Sequence, residues 1–313
     1  MLVPVGGSCT VDRNAESSVG AAGTLDTMKT TDHSRAMSNA GASHERAAWH
    51  AERIEGLRGA DGWLTLVGLD FLESGTFTAG RDERVELCYA GCAADRIGRF
   101  EVDGEVGDEV VRFVPEAGAA VSIERGVAGE PLIADDAGPP SMVRSGTVSF
   151  TLVRRNARLA LRVRDSASAT RSGFEGLGLF PFDPGMVVEA TVRPAAAEAR
   201  IPIANVTGHI EEQRLAATLS FELGGARHEF QAMPAGDDGL FVVFADGTNG
   251  RETYGGGRFL LVPPPRDGRA TIDFNRAYFP PCAFTAFATC PMPPASNRLS
   301  RRIEAGERWP AEK

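Results

Sequence analysis

The stretch from residue 147 to 164 constrains this chain more than any other. It reads TVSFTLV and then RLALRVR, joined across Arg155-Asn156. In the second run Leu159, Leu161 and Val163 point one way while Arg158, Arg162 and Arg164 point the other. Only an extended strand separates side chains with a period of two. Two such runs on a short connection predict an antiparallel hairpin, apolar on one face. The cationic face reads as a solvated strand surface. Further strand-like runs recur at 110–114, 121–124, 186–192, 201–206, 217–223, 240–244, 257–262 and 270–274. Glycine and proline contribute 36 and 19 of the 313 residues, an excess that favours turns and short strands. No strand–helix–strand alternation is present, which disfavours parallel α/β architectures. The expected fold is therefore mainly β: an antiparallel sandwich or barrel-like domain with one N-terminal helix. Ser43 can cap that helix, and Ala47, Ala51, Ile54 and Leu57 recur at helical spacing until Gly59. Residues 1–42 are rich in Ser, Gly, Ala and Thr and read as a disordered extension. That leaves 43–313 as a single β-rich domain.

The polar inventory excludes several chemistries. There are thirty-one arginines but only two lysines, Lys29 and Lys313. A Schiff base or a Walker-type phosphate loop needs a lysine in the body of the chain, and none is there. Of five histidines only His209 and His228 lie beyond residue 50. GxSxG and HExxH are absent, and Gly176-Leu-Gly178 meets Pro181 where a dinucleotide fingerprint needs glycine. No cofactor is expected. A formal charge of −9 argues against nucleic acid as a partner. No apolar run approaches the ~20 residues of a membrane span, and no basic n-region with an apolar run marks a secretory signal. A soluble, cytoplasmic protein is the expectation. The odd number of cysteines, five, suits free thiols. Asp135-Asp136 and Asp237-Asp238 lie in Gly/Pro-rich loops and read as solvated turn residues.

Two segments concentrate the remaining chemistry. Residues 244–265, FADGTNGRETYGGGRFLLVPPP, gather Asp246, Thr248, Tyr254 and Arg258 around a glycine-rich turn. Three successive glycines permit a tight turn and close approach of the backbone. Residues 270–299 carry Asp273, Asn275, Arg276, Tyr278, Cys282, Cys290 and Asn297 between two double prolines, Pro280-Pro281 and Pro293-Pro294. A long irregular segment containing Phe274, Phe279, Phe284 and Phe287 must pack somewhere, and such loops in compact domains are usually functional.

The runs GWLTLVGLDFL (62–72), RVRD (162–165), FEGLGLFPFDP (174–184), FADGTNGRETYGGGR (244–258), DFNRAYFPPCAF (273–284) and TCPMPPASNRL (289–299) resemble those of the bacterial family of unknown function DUF1684. The resemblance runs from about residue 45 to the end. It implies that Arg258, Asp273, Asn275, Arg276, Tyr278, Cys282 and Cys290 form a common feature, and it implies no reaction. Phe279 departs from the family pattern, which more often has asparagine before the two prolines.

The residues support a small-molecule site built from 244–258 and 270–299. In an enzyme acting on an anionic metabolite, Cys282 would be the nucleophile, with Asp273 and Tyr278 handling protons. Arg258, Arg276, Asn275 and Tyr254 would bind the substrate. The alternative is a non-catalytic β module that holds a small apolar or anionic ligand, with which the phenylalanine-rich loop and, if it is not simply solvated, the arginine face of 158–164 are compatible. A third reading is a metal site from Cys282, Cys290, Asp273 and His209 or His228, although its ligands are scattered.

Overall fold

A computed structural model describes residues 30–155 and 158–310, leaving aside the side chains of 30–40 and 238. The expected hairpin forms. Val148–Arg155 and Arg158–Asp165 pair antiparallel, from Arg155 opposite Arg158 to Val148 opposite Asp165. Leu159, Leu161 and Val163 are buried together with Phe150 and Leu152. This hairpin is the heart of a five-stranded antiparallel sheet. Leu66–Phe71 flanks it on one side, and Met142–Ser145 and then Ser122–Glu124 lie on the other. A four-stranded sheet, ordered Leu87–Cys88, Gly75–Gly80, Gly98–Asp103 and Val110–Pro115, shares its apolar core. Phe100 sits 4.8 Å from Phe113 and 5.6 Å from Phe150, centroid to centroid.

The second half of the chain builds a six-stranded antiparallel sheet that curves as a half-barrel. Its order is Arg258–Val262, Leu240–Phe244, Ala226–Pro234, Ala217–Leu223, Val187–Pro194 and Arg269–Asp273. Its core holds Phe221, Phe230, Phe244 and Phe274, with ring centroids 5.0–6.2 Å apart. Each fully buried phenylalanine contributes about 1.5–3 kcal/mol of transfer free energy. The mainly β antiparallel architecture is as the sequence predicts.

A third apolar cluster joins the two halves. Leu66 and Trp63 meet Ile201, Ile203, Met233, Phe241, Val243, Phe259, Ala288 and Cys290 there. This seam corrects the reading of the cationic strand face as solvated. Arg162 and Arg164 lie against Trp63, and the Nε of each is shut from solvent. Alternation told which side chains face away from the first core, but not that the second half of the molecule covers them. Asp135 also departs from a solvated turn. It is buried at 7% side-chain exposure, pairs with Arg155 at 2.7 Å and accepts from the Arg154 amide at 2.9 Å.

The N-terminal helix α1 spans Thr30–Arg58, so it begins well before the expected cap at Ser43. No proline interrupts this stretch, and it ends where Gly59 was expected to stop it. The expectation of disorder for residues 1–29 falls outside the described residues. Among the described residues no helix is long and apolar enough to cross a membrane.

Candidate functional site

The glycine-rich turn between Leu240–Phe244 and Arg258–Val262 is an internal polar knot. Asp246 Oδ1 accepts from the Thr248 amide (2.8 Å), the Thr248 hydroxyl (2.7 Å) and the Ile303 amide (3.1 Å). Its Oδ2 lies 2.7 Å from Arg258 Nη2, and neither side chain reaches solvent. Arg258 also donates to the carbonyls of Ile303, at 2.8 Å, and Ala305. Asn249 Nδ2 donates to the Tyr254 carbonyl at 2.6 Å, which fixes the backbone that carries Tyr254. Gly257 has φ of 97°, and a Cβ there would stand 2.6 Å from Pro293 and 2.7 Å from the Phe244 carbonyl. Only glycine lets the second double proline close onto this turn.

The segment after Asp273 first runs beside the same strand. Tyr278 exchanges backbone hydrogen bonds with Phe259 at 2.8 and 3.0 Å. Pro281–Ala283 then forms one 3-10 turn that carries Cys282. Further on, the Cys290 carbonyl accepts from Val206, and the Met292 amide donates to Ala204. The chain thus folds back, and the Cys282 amide donates to Cys290 Sγ at 3.2 Å. No peptide bond among the described residues is cis.

Three polar groups converge here. The Cys282 thiol is pushed down from its ordinary range, first by the hydrogen bond from Cys290 and also by Tyr254, against the opposing effect of burial. Cys290 is pushed strongly up by the same partnership and by its burial. Of the two thiols, Cys282 is therefore the one that gives up its proton first. Burial and the hydrogen bond to Cys282 raise Tyr254. Tyr278 packs on the same cluster, and burial pushes it up to about 12. The Arg53 guanidinium stacks 4.5 Å from its ring.

The other predicted residues lie in different settings. Asp273 ends its strand as a cap, accepting from the Asn275 amide at 2.9 Å and Nδ2 at 3.0 Å. Asn275 is fully buried and exchanges hydrogen bonds with both backbone groups of Asp183 (2.8 and 3.0 Å). Arg276 faces Glu45 and Asp273, each at 3.7 Å. Arg258 belongs to the knot with Asp246. So Cys282, Tyr254 and Tyr278 come together, while Asp273, Asn275 and Arg276 hold the segment to its surroundings. Among the described residues no group of three or more His, Cys, Asp or Glu gathers as metal ligands would. His209 sits in an exposed hairpin turn, 3.9 Å from Glu211, and His228 stacks beside Phe221.

Two groups take roles here that the sequence did not assign them. Cys290 was grouped with Cys282 only as a co-ligand in the metal-site reading and not as its hydrogen-bond partner, because the spacing alone does not show the chain returning. Arg162 approaches Cys290 from the other half of the molecule. Its only sequence signal was the repeated arginine on an alternating strand. A cleft of about 370 Å³, lined by Pro181, Asp183, Met186, Arg301, Arg302 and Glu304, holds none of the predicted site residues except for its neighbourhood to the Asn275 clamp at Asp183.

A helix-fronted, mainly antiparallel β protein with a paired-thiol seam is the class that this geometry defines. The chain belongs to the family described as "Protein of unknown function (DUF1684)", whose family model matches residues 172–308. The match starts later than the resemblance suggested and includes Tyr254, Cys282 and Cys290, while Trp63, Arg162 and Arg164 precede it. No curated protein matches. Among solved structures the chain is similar to an uncharacterized protein of Haloarcula marismortui, determined by solution NMR. The two are 38% identical over 44% of this chain and 78% of that one, with a TM-score of 0.38.

Proposed function

We propose that segments 244–258 and 270–299 form a small-molecule site in which Cys282 acts as a nucleophile on an anionic metabolite. The observation that carries this reading is the return of the chain that brings Cys290 Sγ to 3.2 Å from the Cys282 amide, where Cys290 and Tyr254 hold the Cys282 thiol below its ordinary range. A thiolate is the reactive form of cysteine, and donors that stabilise it favour its formation. Attack on an acyl carbon would form the Sγ–C bond and break the bond to the leaving group, which departs with its electron pair. Tyr278 lines the apolar side of the site.

The test is alkylation by iodoacetamide, followed residue by residue in the mass spectrum. Cys282 should react with a midpoint below the ~8.5 of a free thiol, and ahead of exposed Cys88 at pH 7. Tyr254→Phe should move that midpoint up by roughly half a unit to one unit. If Cys282 reacts no faster than Cys88 and titrates like a free thiol, the reading fails. A second reading, a β module that binds without turnover, gains from Asp273, whose carboxylate is engaged as a cap rather than set beside the thiol. Nitrophenol release from a nitrophenyl ester of a dicarboxylic acid separates the two. The enzyme gives a burst that Cys282→Ser abolishes, and the module gives none.

A further inference from the structure

We infer that Arg162, Arg164 and Thr151, beside Trp63, form a binding site for a doubly charged oxyanion group of a small ligand, such as a phosphate monoester or a pair of carboxylates. Arg162 and Arg164 project from the same face of Arg158–Asp165, and Thr151 is the direct partner of Arg162 on the neighbouring strand. Directly opposed residues of an antiparallel pair present their side chains on one face, within contact distance. Each of the three has a buried polar atom without a hydrogen-bond partner among the described residues: Arg162 Nε, Arg164 Nε and Thr151 Oγ1. Thr151 is itself only 4% exposed. Three adjacent orphans on one strand pair are uncommon, because buried polar groups are normally satisfied.

The surrounding charges show how specific the imbalance is. Arg155 on the same hairpin is paired with Asp135 at 2.7 Å. Arg144 is paired with Glu124 at 2.7 Å and Asp61 at 3.2 Å, and Arg158 has Glu73 at 3.5 Å. Among the described residues neither Arg162 nor Arg164 has a carboxylate within salt-bridge distance; Asp135 and Asp61, engaged by Arg155 and Arg144, act on them only from further away, so their positive charges are only partly compensated. Their neighbour is the indole of Trp63, 5.3 and 5.9 Å from the two guanidinium carbons. One ring offsets only part of the charge of two partly desolvated cations. Burial pushes Arg162 down to about 9, with Arg155 and Arg164 adding to the effect. Arginine does not readily give up its proton, so the penalty persists until an anion relieves it. Both residues remain partly open to solvent, which leaves a ligand an approach to the pair. A fork of two guanidiniums with a hydroxyl donor between the strands fits a planar or tetrahedral oxyanion.

This inference does not depend on the thiol chemistry, and Cys282→Ser should bind the anion as the parent does. The experiment is calorimetric titration of the full chain with inorganic phosphate and with succinate, at ionic strength held constant with chloride, and acetate as the singly charged control. Phosphate or succinate should bind saturably and raise the melting midpoint, while acetate should not. Binding of phosphate alone assigns a phosphate ligand, and of succinate alone a dicarboxylate. Arg162→Gln and Arg164→Gln should each weaken binding roughly tenfold or more, as expected for loss of a charge-assisted bond. Without ligand, Arg162→Gln should melt at or above the parent midpoint, since an unpaired buried charge has been removed. Thr151→Val, nearly equal in volume, should weaken binding without altering the fold. Silence with both dianions overturns the inference. So does binding that survives both arginine substitutions, or a fall in the unliganded midpoint with binding unchanged, which would make the guanidinium a stacking partner only.

Discussion

At the scale of single residues, the same side-chain type does opposite work in the two halves of the molecule. Arg258 and Arg162 are both arginines withdrawn from water, yet their surroundings differ completely. Arg258 faces Asp246 at 2.7 Å and two backbone carbonyls, so its charge is matched where it lies. Buried pairs of this kind contribute little net energy when intact but are costly to break. Asp246→Ala leaves the guanidinium buried and should cost about 3–5 kcal/mol in urea unfolding. Asp246→Asn keeps an acceptor for the Thr248 and Ile303 amides, and should cost clearly less. Equal losses would mean that charge has no part in the knot. The motif from Asp246 to Arg258 was legible in the sequence as a unit, but its polar density suggested a ligand. The geometry shows how such density also arises when a turn must tie down a distant segment, here residues 303–305.

At the scale of elements, helix α1 is held to the rest by charge more than by an apolar stripe. Arg53 Nε lies 2.6 Å from Glu307 Oε1, and its Nη2 donates to the Phe279 carbonyl at 2.6 Å. Glu307 also accepts from the Phe279 amide at 2.6 Å. Burial raises the Glu307 carboxyl above its ordinary range, although Arg53 and the Phe279 amide work against it. A carboxyl raised in the folded state favours folding most at pH below its unfolded pKa, and that contribution is lost as pH rises through the folded one. Arg53→Gln removes the main opposing charge and should raise Glu307 further. The variant should therefore lose more stability at pH 8 than at pH 5 in paired urea titrations. An equal loss at both values would show that the arginine acts by packing alone. These ties explain what the sequence could and could not show. Alternation located the hairpin at Arg155 and the strand Ala217–Leu223 because one face of each is buried. Gly75–Gly80 and Gly98–Asp103 escaped it, because glycine, threonine and charged residues blur a period of two. The helix was visible in part, but its partner Glu307 is 254 residues away from Arg53. No local pattern carries that distance.

At the scale of the whole molecule, the seam decides whether the halves act as one. Each half has its own core, and the cluster around Leu66, Phe241 and Phe259 is the apolar link between them. Leu66 is a buried member of it, 4% exposed, and its carbonyl accepts from Thr285 in the loop that carries Cys282. The proposed thiol site and the arginine pair both border this cluster, so its integrity governs their spacing. Leu66→Ala should cost about 2–5 kcal/mol, as deletion of a buried leucine does. Because the loss falls on the link rather than on either core, it should appear as a separation of unfolding steps. Calorimetry should show one transition in the parent and two, or one with a van't Hoff enthalpy well below the calorimetric one, in the variant. Cys282 should also alkylate faster in Leu66→Ala, since the loop loses its anchor while the half-barrel core stays intact. Phe150→Leu, buried in the first core, is the control: it should lower the midpoint without splitting the transition or exposing the thiol. If Leu66→Ala unfolds in one step with Cys282 unchanged, the halves are coupled by something other than the seam, and the site does not depend on their contact.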